Sequence, residues 1–135
     1  MSLKLRSQTC PTGAILESRT LDSERCISYQ TIENKGEISP EIESGLSGRV
    51  FGCDICQDVC PWNRFAGLIV DAAFSSRPDV PHPNLIRELE LTPESFNRKF
   101  RGSPVKRAKR RGYLRNVPIA LGNSRRSETI PALEN

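Results

Sequence analysis

Five cysteines within residues 10–60 constrain this chain more than any other feature of its sequence. Two of them, Cys10 and Cys60, stand directly before prolines. Cys60 also ends a C-x2-C-x3-C-P segment that begins at Cys53. This spacing matches the end of the C-x2-C-x2-C-x3-C-P pattern that ligates [4Fe–4S] clusters in bacterial ferredoxins. Because a C-x2-C pair places two thiolates around one tight turn, the segment predicts an iron–sulfur site.

The same pattern separates the five cysteines into two groups. In two-cluster ferredoxins the cysteine before proline ligates the other cluster. We therefore expect Cys26, Cys53 and Cys56 to be the local ligands of one cluster. Cys10 is expected to be the fourth ligand of that cluster. Cys60 is expected to serve a second cluster, whose local ligands would precede Cys10; without them it would be a free or buried thiol.

Two other interpretations of the cysteines stay open. Thiolate-rich sites also bind zinc, so a structural zinc site is an alternative, and unligated thiols are another. An odd number of cysteines argues against a closed disulfide framework. No stretch fits a signal peptide or a membrane span, which predicts a cytoplasmic protein with reduced thiols and no membrane association.

Composition predicts a small apolar core and much irregular backbone. Hydrophobic residues make up 36% of the 135 residues and aromatic residues 6%, with ten prolines and nine glycines. A bound metal is a common way to stabilise such a chain. The predicted fold class is α+β or mostly α, in which an irregular ferredoxin-like [4Fe–4S] unit precedes the short helices of a solenoid start.

The chain divides into three predicted parts. Residues 10–66 form the ferredoxin-like cluster unit, residues 67–91 a proline-rich connection, and residues 92–123 a basic helical segment. In the first part, a helix is predicted from Glu24 to about Asn34.

Later in the chain the predicted helices are short. Pro40 is expected to begin one that ends near Gly45, and Thr92 to cap another. A further helix is predicted from Ser103 to Arg111, ended by Gly112. The last is predicted to run from about Leu114 to Leu121.

The net charge of +4 is distributed very unevenly along the chain. Residues 1–95 carry 9 basic and 14 acidic side chains, whereas residues 96–126 carry 11 basic side chains and no acidic one. Charge runs are often solvated faces, but this excess predicts a surface that binds the phosphates of a nucleic acid. On a continuous helix, Lys106 and Arg110 would share one face. The predicted nucleic-acid-binding residues are Lys106, Arg107, Lys109, Arg110, Arg111 and Arg115.

Several segments resemble the epoxyqueuosine reductase family. They are CPTGAI from Cys10, RCISYQTIENKG from Arg25 and GCDICQDVCPWNRFA from Gly52. Further on, FRGSPVKRAKRRGYLRNVPIALGN resembles the start of that family's HEAT-like region. The resemblance extends from Cys10 to Asn123.

The resemblance implies cofactors, a substrate and partners. Family members carry two [4Fe–4S] clusters and a cobalamin, and they reduce the epoxide of epoxyqueuosine in the tRNA anticodon loop, the last step of queuosine biosynthesis. Electrons from a donor pass through the clusters to the corrin cobalt. In the family pattern, Cys10, Cys26, Cys53 and Cys56 match the ligands of one cluster, and Cys60 matches the fourth ligand of the other.

The sequence also departs from the family pattern. The family has a C-x2-C-x2-C stretch directly before the position of Cys10, where this chain has LKLRSQT. The family's catalytic, corrin-holding domain lies before that stretch. We therefore expect a fragment or degenerate copy that acts as the electron-transfer portion, with cobalamin not held by this chain alone and no catalytic residue assigned.

Two further functions remain as alternatives to that expectation. One is a zinc-stabilised RNA-binding module without redox activity. The other is a free-standing small ferredoxin, which the basic segment argues against because a simple electron carrier has little need of a nucleic-acid surface.

Overall fold

Short helices form nearly all the regular structure of this chain. The computed structural model describes residues 8–16, 20–67, 71–78, 80–125 and 130–133. Over these residues the α-helices are α1 (Ile27–Ile32), α2 (Pro40–Leu46), α3 (Ile55–Asp58), α4 (Leu85–Glu88), α5 (Pro93–Lys99), α6 (Lys109–Asn123) and α7 (Ile130–Leu133). Within the same ranges, the β-structure consists of one isolated antiparallel bridge between Ile15 and Leu21, without a strand. The mostly α alternative is therefore confirmed for this part of the chain.

The helix predicted from Glu24 to about Asn34 forms in two pieces. Asp22 begins a 3₁₀ turn over Ser23–Arg25, in which its side chain accepts a hydrogen bond from the Glu24 N–H at 3.0 Å. Cys26 then adopts an extended conformation, with φ −75° and ψ 119°, and α1 starts at the next residue. The break places the Cys26 side chain at the first turn of α1 rather than in the middle of a helix.

Most other predicted helix starts are found where they were expected. Pro40 occupies the first turn of α2. Thr92 caps α5, since its hydroxyl accepts a hydrogen bond from the Ser95 N–H at 3.2 Å. The stretch predicted as a connection contains α4, which Asn84 caps with its side-chain oxygen.

The prediction that Gly112 ends a helix is wrong. A 3₁₀ turn spans Pro104–Ala108, and the regular pattern breaks at Lys109, where φ is 59° and ψ is 163°. From there α6 continues for 15 residues through Gly112. The burial of Tyr113, Val117 and other side chains on one face of α6 outweighs the weak helix propensity of glycine. Because of the break, Lys106 and Arg110 do not share the face of one continuous helix.

Helix α6 contacts both of the apolar clusters in the described residues. Phe96, Phe100 and Tyr113 form the centre of the larger cluster, with ring centroids 4.9–5.8 Å apart. The smaller one consists of the buried side chains Ile27, Ile38, Ile42 and Leu46, and Ile119 of α6 packs against it. Helix α6 therefore joins the helical segment (residues 92–123) to the cysteine-bearing part (residues 10–66). It is 15 residues long, and no helix in the described ranges is long and apolar enough to cross a membrane.

Candidate metal centre

Four of the five cysteines line one cavity. Cys10, Cys26, Cys53 and Cys56 all border it, together with apolar side chains that include Ile27. Cys10 comes from a loop, Cys26 from the residue before α1, and the other two from the turn that leads into α3. These four carry free thiols. Residues that are up to 46 positions apart in sequence thus border one cavity, and their role as ligands of one cluster stays a prediction.

The four thiols influence one another electrostatically. The pKa of Cys56 is raised from its ordinary value, first by burial and then by the negative charges of Cys53, Cys26 and Cys10. Negative charge on the other three sulfurs therefore disfavours ionisation of Cys56. A bound metal centre relieves this repulsion, because the positive charge of the metal offsets the negative charges of its deprotonated thiolate ligands.

Cys10 lies in a different hydrogen-bonding environment. Burial alone would raise the pKa of its thiol, but hydrogen bonds with the Thr12 hydroxyl and with backbone N–H groups outweigh burial, so the pKa is lowered. The Ala14 N–H donates to Sγ at 3.3 Å, and the Thr12 Oγ1 lies 3.6 Å from Sγ. The Ala14 N–H thus donates to a sulfur that would carry negative charge as a metal-bound thiolate.

The turn that carries Cys10 is fixed by two further contacts. The Thr12 hydroxyl donates to the Arg25 carbonyl at 2.5 Å, so this turn is attached to the residue before Cys26. Helix α2 approaches the same turn at Gly45, where a Cβ atom would lie 2.6 Å from the Thr12 Cγ2. Only glycine at position 45 permits this approach without displacing the turn.

Cys53 follows a turn that is held by buried polar groups. The Gly52 N–H donates to the Thr31 hydroxyl at 3.0 Å. Asn116 of α6 donates to the carbonyls of Thr31 and Val50, both at 2.9 Å. Residues 50–53, which we call the ligand loop, are therefore connected to α6 as well as to α1.

A single ion and a cluster of several irons place different demands on four cysteines. Four thiolates around one zinc would lie about 4 Å apart, given a Zn–S distance of about 2.3 Å. In the described ranges, no group of three or more His, Cys, Asp or Glu side chains is close enough to hold a single ion. A cubane holds its four thiolates on four separate iron corners, and the four cysteines that line this cavity supply that number of ligands.

Cys60 lies outside this group. It follows α3, its N–H donates to the Gln57 carbonyl at 3.0 Å, and it is not among the residues that line the four-cysteine cavity. Trp62, two residues further on, is 73% exposed. The separation of Cys60 from the other four agrees with its prediction as a ligand of another site, although its ligand role stays a prediction.

The predicted nucleic-acid-binding cations differ in what their side chains contact. Arg107 forms an exposed ion pair with Glu33. Arg110 is half-buried and donates through Nε to the Leu91 carbonyl at 2.6 Å. We call the exposed subset of the predicted cations the basic face; it consists of Lys106, Arg107, Lys109 and Arg111.

Arg115 is engaged by the protein itself. Its guanidinium donates to the carbonyls of Gln30, Asn34 and Gly36 and twice to the Asn116 side chain. These five hydrogen bonds equal the number of N–H donors that a guanidinium has. Burial also lowers the pKa of Arg115 from its ordinary value. Its predicted phosphate contact is therefore not supported by the contacts of its side chain, which join α6 to the loop after α1.

Several residues of the site were not predicted from the sequence. Thr12, Thr31, Gly45 and Asn116 position the loops that carry the cysteines, and none of them was singled out. For Asn116 a signal exists, because it occupies the apolar spacing Tyr113, Asn116, Val117, Ala120 on one helix face. A polar residue in such a position is expected to be buried and hydrogen-bonded. For the others we find no signal in the sequence.

Comparison with known proteins defines the class of this site. A family model described as a 4Fe-4S double cluster binding domain matches residues 7–63, which include all five cysteines. Over that stretch the chain therefore resembles iron–sulfur proteins. Among curated proteins, it is 44% identical over 127 residues to the epoxyqueuosine reductase of Escherichia coli and 44% identical over 125 residues to that of Pseudomonas aeruginosa. Both alignments cover 93% of this chain and 34% of the relative.

Solved structures of epoxyqueuosine reductases are also similar to this chain. An epoxyqueuosine reductase crystallised with a tRNA-Tyr epoxyqueuosine-modified tRNA stem loop superposes with a TM-score of 0.87 at 28% identity, over 96% of this chain and 34% of that one. The Streptococcus thermophilus enzyme superposes with a TM-score of 0.83 at 32% identity, with the same coverage. In sequence and fold this chain is thus a relative of the epoxyqueuosine reductases, and the resemblance is confirmed. It spans about a third of their length.

Proposed function

We propose that the cysteine-bearing part of this chain holds a [4Fe–4S] cluster and forms the electron-transfer portion of an epoxyqueuosine reductase-like enzyme. The proposal depends on one observation, the cavity that Cys10, Cys26, Cys53 and Cys56 line together. Four thiolates that converge from distant positions are the ligand set that a cubane needs. When bound, such a cluster takes up and releases single electrons.

The residues of this chain would supply three things at that site. The four cysteines would hold the cluster. The Ala14 N–H would stabilise the negative charge on the Cys10 sulfur, and hydrogen bonds to cluster sulfurs are one factor that sets the reduction potential. Apolar neighbours such as Ile27 and Ile55 would exclude water from one side of the site.

Further parts of the proposal come from the family. Cys60 would ligate a second cluster, and the substrate of the whole enzyme would be epoxyqueuosine in a tRNA. Cobalamin would receive the electrons, without a binding residue assigned in this chain, and a separate donor would supply them. A cytoplasmic location, a ferredoxin-like cluster unit and a HEAT-like helical segment belong to the same proposal.

Metal analysis of the anaerobically reconstituted chain tests the cluster. We expect about four irons per chain, visible charge-transfer absorption, and a paramagnetic signal after reduction. Eight irons per chain would contradict the expectation that the ligands of this chain complete only one cluster. Colourless protein that retains zinc after the same treatment would replace the proposal with the zinc-stabilised RNA-binding module.

The basic face is proposed to contact tRNA phosphates. Lys106, Lys109 and Arg111 are exposed cations within a stretch that has no acidic residue. Such contacts release counterions, so binding should weaken steeply with salt and depend little on sequence.

A salt series of fluorescence-anisotropy titrations with a tRNA anticodon stem loop tests this face. Replacing Lys106, Lys109 and Arg111 together with alanine should reduce the slope of log affinity against log salt by up to about three units. Arg87→Ala is the control, because Arg87 is an exposed cation outside the basic segment. A slope that the triple variant leaves unchanged would remove tRNA binding from the proposal.

A further inference from the structure

We infer that Thr31 and Asn116 are positioning residues that set the place of the Cys53 ligand, an inference that rests on the proposed cluster site. Neither residue lines the four-cysteine cavity. Both side chains have a relative exposure of 0%. Together they fix the backbone of residues 50–52, which leads directly into Cys53.

The Thr31 hydroxyl links helix α1 to the residue before Cys53. It donates to the Ile27 carbonyl at 2.8 Å, one turn earlier in α1. It also accepts the Gly52 N–H at 3.0 Å. Gly52 has a φ of +75°, a conformation that glycine adopts without strain. The hydroxyl therefore holds a sharp turn at the point from which the Cys53 side chain projects.

The Asn116 amide fixes the other end of the same turn. Its Nδ2 donates to the carbonyls of Thr31 and Val50, each at 2.9 Å. Its Oδ1 accepts from Nε and Nη2 of Arg115 at 3.0 and 2.9 Å. All the hydrogen-bonding capacity of the amide is thus used, and the orientation of its oxygen and nitrogen is determined by these partners. Asn116, whose orientation is fixed by Arg115, therefore positions the ligand loop from α6.

Apolar contacts support the same position. Cys53 packs against the cluster of Ile27, Ile38, Ile42 and Leu46, and Ile119 of α6 packs there too. A ligand that is held by both polar and apolar neighbours is preorganised for the metal. Loss of such supporting hydrogen bonds typically weakens metal binding by about 10- to 100-fold, even where the ligands themselves are intact.

Thr31→Val is the main variant, since valine has nearly the shape of threonine and lacks the hydroxyl. Thr31→Ser keeps the hydroxyl and should rescue the site. Asn116→Asp is a second variant, because it keeps the shape and the acceptor for Arg115 but replaces the donor to both carbonyls. Tyr113→Phe is the control: it removes a buried hydrogen bond to Glu88 and leaves intact the hydrogen bonds that Thr31 and Asn116 make to residues 50–52.

The experiment follows iron release from the reconstituted full chain into excess chelator, at a temperature at which each variant is folded. We expect Thr31→Val and Asn116→Asp to release iron about tenfold faster than the wild type, the lower end of the range for such supporting residues. Thr31→Ser and Tyr113→Phe should release it at the wild-type rate. The reduction potential should shift in the first two variants and stay unchanged in the control.

Two results would overturn the inference. One is a wild-type release rate in both Thr31→Val and Asn116→Asp. The other is equal acceleration in these variants and in Tyr113→Phe, which would indicate general destabilisation rather than ligand positioning. Failure of the proposed function itself would be recognised separately, because the wild-type chain would then take up no iron.

Discussion

The cysteine-bearing part and the helical segment are stabilised in different ways. In the helical segment, the rings of Phe96, Phe100 and Tyr113 pack against one another, and each is at most 3% exposed. The buried cluster of the cysteine-bearing part consists of four aliphatic side chains. Aromatic side chains bury about 150–250 Å² each, so the first cluster removes much more apolar surface from water.

This difference indicates which part of the chain depends on a cofactor. The helical segment supplies most of the larger core, in which Val50 of the cysteine-bearing part also packs. The cysteine-bearing part adds polar contacts such as those of Thr31 and Asn116, and it gathers four thiols that repel one another when ionised. Its order should therefore depend on a bound metal and on its contacts with α6.

The largest expected effect is the loss of the cluster when a predicted ligand is replaced. Cys26→Ser should lose most of the visible absorption and iron of the reconstituted protein, because Cys26 borders the four-cysteine cavity. Cys60→Ser is the matched control and should keep both. If Cys60→Ser bleached the protein while Cys10→Ser did not, the division of the five cysteines would be wrong.

Removal of the metal should affect the two parts unequally. Without it, we expect residues 10–66 to lose much of their protection from hydrogen exchange, because metal binding and folding are coupled in sites of this kind. Residues 92–123 should keep theirs and serve as the internal reference. Equal protection of residues 10–66 with and without metal would show that their small core is sufficient.

Truncation of a side chain in the aromatic cluster should lower the stability of the protein and leave the metal site unchanged. Phe100→Ala is expected to lower the free energy of unfolding by about 3–5 kcal/mol, because Phe100 is 2% exposed and alanine would leave a cavity. The visible spectrum of the folded variant should not change. Trp62→Ala, at a position 73% exposed, is the aromatic control, with an expected change within about 0.5 kcal/mol.

The smallest expected effect is a pH dependence in the helical segment. Burial and the hydrogen bond to Glu88 raise the pKa of Tyr113 well above its ordinary value of about 10. The protonated phenol therefore contributes stability that is complete below about pH 10 and decreases as the pH rises further, since the unfolded chain ionises first.

Urea denaturation of Tyr113→Phe and the wild type at neutral and alkaline pH measures this contribution. The variant should lose about 1 kcal/mol at neutral pH, and the difference between the two proteins should shrink above about pH 10. A difference that stays constant across this range would mean that Tyr113 does not titrate as its surroundings predict.

The convergence of the cysteines could be predicted because ligand spacing is a local property of the sequence. A C-x2-C pair and two Cys-Pro units determine which thiols can meet at one cluster, whatever lies between them. The helix starts at Pro40 and Thr92 were predictable for the same reason, since proline and capping side chains act on their own backbone.

Long-range packing explains what could not be predicted. Gly112 is a weak helix former, yet α6 continues through it because the face from Tyr113 to Leu121 is buried. Arg115 was counted with the other cations, since a count of charges does not reveal that the carbonyls of Asn34 and Gly36 accept from its guanidinium. The first outcome depends on packing of Tyr113 against Phe96 and Phe100, and the second on hydrogen bonds to residues about 80 positions away.

The path of α6 across both apolar clusters also limits how this part of the chain can change during evolution. Tyr113 packs in the aromatic cluster, and Asn116 contacts the ligand loop less than one turn later. Inserting or deleting one residue between them would rotate the rest of the helix by about 100° and turn Asn116 away from its carbonyls. Exposed positions of α6 can therefore vary in residue type, whereas the number of residues between these two side chains should remain constant.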